Sequence, residues 1–459
     1  MNLINNSKYY TKNLVLLAIG ITVCIVLLDF LKKRKKRNKF IKTALPFIKP
    51  KGKFLFGISP HHRLTYASAN EGNICLVGST GSGKTSSVLI PALRNLVLCN
   101  QKKNRSIFCI DISGDLEQNI DIKKLVYAPN RECSDPYNIL HEIDQLNAQG
   151  QTDQVNEALL NLALTLIPMP ANADSSSIYF TTGARSILQG SLIALYHRGF
   201  DFIDIMHEIL SHSVEELFKR IYESQNAYAC HLIDQFKGNS SQNVAGCYQQ
   251  LIEKIILFNN PIIKKNLRRP RTGETDIYPE RIEESSIFLD IPDHMLSLYQ
   301  PLLNLICNQV LEYCSKRDLR LADTREIFLI LDEFSSLGYL MDIQQATRKY
   351  RKRGVRLVIA VQSFLDIDLL YSETVRKSLL NNFRYLVILN SIDYETCRDL
   401  AGMIGHNPEQ KHKTNADWII APEDLSTLDL RDDLILVYPG GFKMLKKCFY
   451  FKKLNQLYI

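Results

Sequence analysis

Two short stretches of this sequence carry side chains whose types and spacing suit the handling of a phosphate chain. Gly78-Ser79-Thr80-Gly81-Ser82-Gly83-Lys84-Thr85 fits the pattern G-x-x-x-x-G-K-[ST] at every position. Glycines let backbone N–H groups wrap an anion without Cβ clashes, and a helix starting there adds partial positive charge. Lys84 is then the cation for the β- and γ-phosphates, and the Thr85 hydroxyl is a ligand for Mg2+. The second stretch, Ile327-Phe328-Leu329-Ile330-Leu331-Asp332-Glu333, sets two acids directly after five apolar residues. Acids at the carboxyl end of a buried strand lie where ligands bind in parallel sheets. Asp332 is suited to the Mg2+ water shell and Glu333 to polarising an attacking water as general base.

A third element is Val355–Val361 followed by Gln362-Ser363. A glutamine beside such an acid pair can sense the γ-phosphate or orient water. Just before it runs Arg348-Lys349-Tyr350-Arg351-Lys352-Arg353. This run reads either as a solvated helix face or as the source of one arginine that crosses a subunit boundary to a neighbour's γ-phosphate. The residues themselves do not choose between these.

These side chains need a scaffold, and the apolar pattern supplies one. Asn73–Val77 reads as a buried strand before the glycine loop, and Ser86–Val97 as a helix after it. Further strands are expected at Ile107–Ile110, Ile287–Leu289, Ile327–Leu331, Val355–Val361, Tyr385–Leu389 and Asp433–Tyr438. From about 150 to 280 the β-branched runs vanish. Helices are expected there at Asn156–Ile167, Ser177–Tyr196, Phe202–Leu210, Glu215–Ser224 and Asn243–Phe258. Alternating buried strands and helices imply a mostly parallel α/β sheet, with an all-α block inserted into it. The expected organisation is a short extracytoplasmic tail (1–13), a transmembrane helix (14–31), a basic juxtamembrane linker (32–60), a first nucleotide-binding part (61–150), the all-α insertion (151–280) and a second nucleotide-binding part (281–459).

Composition narrows the class. The 459 residues are 46% hydrophobic and 23% charged, which excludes a disordered, collagen-like or coiled-coil chain. The net charge of +8 suggests a nucleic-acid binder, but its location argues otherwise. Residues 1–60 hold thirteen Lys/Arg against one acid, Asp29, so the remaining chain is net −4. Leu14–Leu28 carries no charge and is followed by Lys32-Lys33-Arg34-Lys35-Lys36-Arg37. A cleaved signal peptide has the reverse order. A single membrane helix explains both parts, with its basic flank and the bulk of the chain in the cytoplasm. The eleven cysteines form no C-x-x-C pair, which fits a reducing compartment. His207 and His212 lie five apart on an expected helix, about 140° round its axis, and so do not share a zinc. Trp418, the single tryptophan, reads as packing.

Together these residues resemble the type IV secretion coupling protein family, the TraG/TraD-type conjugation ATPases. The likeness extends to Val88-Leu89-Ile90-Pro91-Ala92-Leu93 after the loop and to Cys109-Ile110-Asp111-Ile112-Ser113-Gly114-Asp115, where Ser113 stands in place of the usual lysine. It continues in Asp135-Pro136-Tyr137-Asn138, in Ile178-Tyr179-Phe180 to Ala184-Arg185, in Asp332-Glu333-Phe334-Ser335-Ser336-Leu337-Gly338 and in Ala360-Val361-Gln362-Ser363. It covers roughly residues 50–455. The resemblance implies a RecA-like P-loop NTPase fold and a membrane-anchored homo-hexamer at the inner membrane. It also implies an ATPase using ATP and Mg2+. Such a protein hands single-stranded DNA with its relaxase, or effector proteins, to the secretion channel. It points to Arg351, followed by Lys352-Arg353-Gly354, as the arginine acting in trans. Two alternatives remain: a coupling ATPase for purely protein effectors, and a nucleotide-binding membrane scaffold without turnover. A chromosome-segregation motor shares the core but usually has several membrane helices and a winged DNA-reading end.

Overall fold

Runs of consecutive aliphatic residues form the centre of the fold because both of their faces are covered. The computed structural model describes residues 52–67, 72–98, 105–131, 134–169, 174–271, 273–319, 325–406 and 418–452. The expected membrane helix and its basic flank lie outside these residues. Among the described residues no helix is long and apolar enough to cross a membrane.

Among the described residues eleven strands make one sheet: β1 (Leu55–Ile58), β2 (Leu64–Tyr66), β3 (Asn73–Val77), β4 (Arg105–Asp111), β5 (Lys124–Tyr127), β6 (Ser286–Asp290), β7 (Glu326–Leu331), β8 (Val355–Val361), β9 (Phe383–Ile388), β10 (Asp433–Tyr438) and β11 (Gly441–Lys446). Their spatial order is β2-β1-β11-β10-β9-β3-β8-β7-β4-β6-β5. The seven strands from β9 to β5 are parallel, and β10, β11, β1 and β2 extend the sheet antiparallel beyond β9. β8 therefore lies between β3, which leads into the glycine loop, and β7, which ends at Asp332. Side chains alternate between the faces. Ile74 and Leu76 join one buried cluster with Val88, Leu89 and Leu93 of the following helix, whereas Cys75 and Val77 join a larger cluster on the other face.

The larger cluster includes the helical block between β5 and β6. Its helices include Thr152–Leu166, Ser175–Tyr196, Phe202–Ser211, Val214–Glu223, Ala227–Asp234 and Ser241–Ile255. Their starts follow from side-chain caps: Asp201 with Asp204 and Ser213 with Glu216 form reciprocal capping boxes, and Asp174, Asn226 and Ser240 each accept an N–H of the first turn. Ser175–Tyr196 is the block's buried axis. His207 and His212 bond locally to Ser211 and to the Glu208 carbonyl, and Trp418 stacks on His406 at 4.0 Å.

One expectation is corrected. The stretch 32–60 reads as linker, yet Leu55–Ile58 is a buried strand pairing with β2 and β11. Its four residues are too few and too close to proline and glycine to give a periodic signal. Gly57 sits at an irregularity in the β1–β2 register, where a Cβ would come within 2.7 Å of the Lys446 carbonyl. Gly57→Ala is expected to destabilise the protein by about 1–3 kcal/mol in denaturant unfolding. A glycine in a free linker would give a neutral or slightly stabilising change.

Candidate phosphate-binding site

The loop after β3 is fixed by its neighbours on both sides. The Gly78 N–H donates to the Val361 carbonyl at the end of β8 (3.1 Å), and the Leu389 N–H donates to the Val77 carbonyl from β9 (2.9 Å). A Cβ on Gly78 would meet Ser82 Oγ at 2.5 Å and Leu389 Cβ at 3.1 Å, so the loop closes on itself only with glycine there. Gly81 and Gly83 have φ of 80° and 89°, which favour glycine. Nothing lies within 4 Å of where a Cβ on Gly81 would stand, so the turn borders open space.

Lys84 begins the next helix and is nearly buried. Its Nζ donates to the carbonyls of Gly78 (2.7 Å) and Ser79 (3.3 Å) and lies 3.6 Å from Glu333. The helix opens as a widened segment, Lys84–Leu89, in which the Ile90 N–H reaches back to the Thr85 carbonyl. Pro91 follows, and it lacks an N–H and crowds the carbonyl four residues earlier; the wide turn relieves both problems.

Asp332 and Glu333 emerge from β7 on the same cleft. Thr85 Oγ1 donates to Asp332 Oδ2 at 3.2 Å. Among the described residues Glu333 is one of five non-glycine residues with positive φ (54°), and this turn aims its carboxylate at Lys84 and Gln362. Gln362 bridges two elements: its Nε2 donates to Glu333 Oε2 (3.0 Å), and its Oε1 accepts from Thr80 Oγ1 (3.1 Å). The cleft is about 400 Å3 and is lined by loop residues with Asp332, Glu333 and Gln362. Ser79, Gly81 and Ser86 line it too, whereas Ser82 is buried beneath the loop.

The structure brings in groups that the sequence did not single out. Asn390, just past β9, accepts from both the N–H (2.9 Å) and Oγ (3.0 Å) of Ser79. A polar residue at the end of an expected strand was the available signal. Lys447, buried after β11, donates to the Ser82 carbonyl at 2.8 Å. Asp111 ends β4 and Asp290 ends β6 in register with it, so with Asp332 three carboxyls stand on adjacent strand ends. Burial pushes Asp332 up to about 7, aided by Glu333 and opposed by Lys84. Burial also lifts Asp111 to about 6, opposed by the Glu117 N–H and raised further by Asp290. Burial raises Asp290 as well, against the Arg131 guanidinium that bonds it.

This donor set fits a magnesium-bound phosphate chain. Helix-start amides, an open glycine turn and a buried lysine suit phosphate oxygens. Asp332 and Thr85 suit a hard divalent cation. Among the described residues no group of three or more His, Cys, Asp or Glu is arranged to hold a metal.

Arg351 is not in the cleft. It lies in the turn Tyr350–Arg353 at the amino end of β8, whereas Gln362 follows the carboxyl end. Seven strand residues separate them, roughly 20 Å. Its neighbour Arg353 donates to the Arg317 carbonyl (2.6 Å) and Arg348 to Ser378 Oγ (2.7 Å). In the helical block's tail Arg268 pairs with Glu274 at 2.8 Å and Arg269 with Asp144 at 2.7 Å.

Comparison with known proteins agrees with this architecture. The chain is 22% identical over 393 residues to Protein VirD4 of Rhizobium rhizogenes and to Protein VirD4 of Agrobacterium fabrum, covering 79% of this chain and 56% of each relative. It thus spans about half the length of the curated relatives it matches. The solved plasmid coupling protein TrwB in complex with ADP and Mg2+ superposes with a TM-score of 0.66 at 18% identity, covering 86% of this chain and 95% of that one. The family described as the type IV secretion-system coupling protein DNA-binding domain matches residues 64–417. That span takes in the loop, the helical block, both acids and Gln362, and the chain belongs to the type IV secretion-system coupling protein family.

Proposed function

We propose that this chain is a membrane-anchored motor that hydrolyses ATP with Mg2+ to deliver single-stranded DNA with its relaxase, or effector proteins, into a type IV secretion channel. The observation that carries the reading is the convergence of Lys84, Thr85, Asp332, Glu333 and Gln362 on one cleft. The relative TrwB, solved with ADP and Mg2+, supports the choice of ligand.

The bound magnesium triphosphate supplies an electrophilic phosphorus and the charge that the site neutralises. In the proposed roles the loop Gly78–Thr85 wraps the phosphates and Lys84 neutralises the β- and γ-oxygens. Thr85 and Asp332 hold the cation. Glu333 accepts a proton from the attacking water. Gln362 holds Glu333 Oε2 and, through Thr80, links that base to the loop. Arg351 stands at the far end of β8, so its proposed role at a γ-phosphate belongs to a neighbouring copy in a homo-hexamer. The nucleotide-binding parts are assigned to 61–150 and 281–459 and the all-α domain to 151–280. Residues 14–31 are the proposed anchor in the inner membrane. The basic stretch after it holds the rest in the cytoplasm.

Lys84→Ala is expected to cut ATP turnover at least about 100-fold with little change in Tm, since Lys84 is the only lysine among the described residues lining the cleft to meet the oxyanion charge. Wild-type turnover is expected to rise with single-stranded DNA, and the stimulation to fade as salt increases. Turnover that ignores DNA selects the protein-cargo reading, and no turnover under assembling conditions selects the scaffold.

Asp332 yields a pH prediction. Its folded value near 7 lies above its ordinary 3.8. Its contribution to stability is therefore full below the ordinary value and lost as pH rises through 7. Asp332→Asn is expected to raise the Tm of the nucleotide-free protein, by an amount that grows from pH 5 to pH 7 and levels off above. The added stabilisation by Mg2+ with nucleotide is expected to disappear in the same variant. Thermal unfolding across pH measures both.

A further inference from the structure

The nucleotide-site reading fixes where the phosphates end and leaves open what meets the base. The groups proposed for the γ-phosphate, Asp332, Glu333 and Gln362, follow β7 and β8 on one side of β3. A nucleotide whose phosphates run along the loop must therefore point its base to the other side, over β9, β10 and β11. The segment that follows β11 crosses there.

That segment is fastened to the loop and carries three consecutive aromatics. Lys447 Nζ donates to the Ser82 carbonyl (2.8 Å), and the Tyr450 N–H donates to the Ser86 carbonyl (3.1 Å). Cys448 is buried, and the Arg94 guanidinium lies 5.1 Å from the Tyr450 ring, which holds that ring against the loop's own helix. Phe449 sits at the loop–helix junction: its Cε1 would be 3.3 Å from a Cβ on Gly83. Phe451 packs beside it with ring centroids 5.3 Å apart and remains 53% exposed. Lys452 Nζ lies 4.4 Å from the Phe449 ring centroid and pairs with Asp432 at 2.7 Å.

We propose that Phe449 and Phe451 form the aromatic wall on which the base of the bound nucleotide rests. This rests on the cleft being a nucleotide site. An aromatic ring recognises the π-face, which every base has, so the wall adds affinity without choosing between adenine and guanine. The class of ligand is then a nucleoside di- or triphosphate, with ATP and GTP as the probes.

The test measures binding of ATP, GTP and inorganic tripolyphosphate, each with Mg2+, to the full chain and to Phe449→Ala, Phe449→Leu and Phe449→Trp. Wild type is expected to bind ATP and GTP within about tenfold of each other. Phe449→Ala is expected to weaken both nucleotides by roughly 5- to 100-fold and leave tripolyphosphate unchanged, with Phe449→Trp restoring affinity and Phe449→Leu restoring little. Equal loss for all three ligands, or full rescue by leucine, would make Phe449 a prop for the loop and overturn the proposal. Wild type that binds none of the three overturns the nucleotide site itself, which is a separate failure.

Discussion

The amide of Gly78 donates to the carbonyl of Val361 at 3.1 Å, so the phosphate loop leaves its strand already tied to the end of β8. That bond depends on register. Val77 pairs with Val361 on one side and with Ile388 on the other, and Leu331 pairs with Ile359. Parallel strands in this alignment finish at one level, so residues just beyond the ends of neighbouring strands, such as Asp332, Glu333 and Gln362, enter the same cleft. Lys84, Glu333, Gln362 and Asn390 meet because their strands are neighbours, although Lys84 lies roughly 250 to 300 residues before the other three in sequence. A slip of one residue in β8 would turn its side chains to opposite faces and break the link from Thr80 through Gln362 to Glu333.

The same alignment concentrates negative charge. Three carboxyls stand on the ends of β7, β4 and β6, all of them lifted toward neutrality by burial. Arg131 compensates at the outer position by bonding Asp290 and Glu117. Ser113 and the Glu117 N–H compensate at Asp111. Among the described residues Asp332 accepts only from the Thr85 hydroxyl, and the lysine nearby donates to loop carbonyls and pairs with Glu333 instead. Unpaired burial costs a carboxylate much of its charge, and a divalent cation would return it. The compensation thus weakens toward the glycine loop, where a cation has its use.

Much of this was legible in the sequence where burial on both faces forces an uninterrupted apolar run. Asn73–Val77, Val355–Val361 and Asp433–Tyr438 have the bounds read from the residues. The strands at the antiparallel edge and at β5 were not. Gly441–Lys446 is exposed at four of its six positions and carries two lysines, and Lys124–Tyr127 is half-buried, so neither stands out from a polar loop. The acids after β7 were visible because they follow a strong strand. Asn390, Lys447 and Phe449 were not, since their importance comes from strand order: only with β9 beside β3, and β10 and β11 following in turn, do residues after β9 and β11 reach the loop.

Strand direction also separates two chemistries on one molecule. Carboxyl ends gather the anion-binding loop and the acids. The amino end of β8 carries Arg348, Lys349, Arg351, Lys352 and Arg353. A single chain cannot fold one rim of a flat parallel sheet onto the other, because roughly 20 Å of strand intervenes. The basic turn is therefore remote from its own cleft however the side chains move. If it acts on phosphate at all, the phosphate belongs to another copy, and turnover then depends on assembly as well as on the cleft. Net charge is consistent with that division. Beyond residue 60 the chain is −4 overall, so any attraction for a polyanion would come from local basic features such as this turn rather than from the surface as a whole.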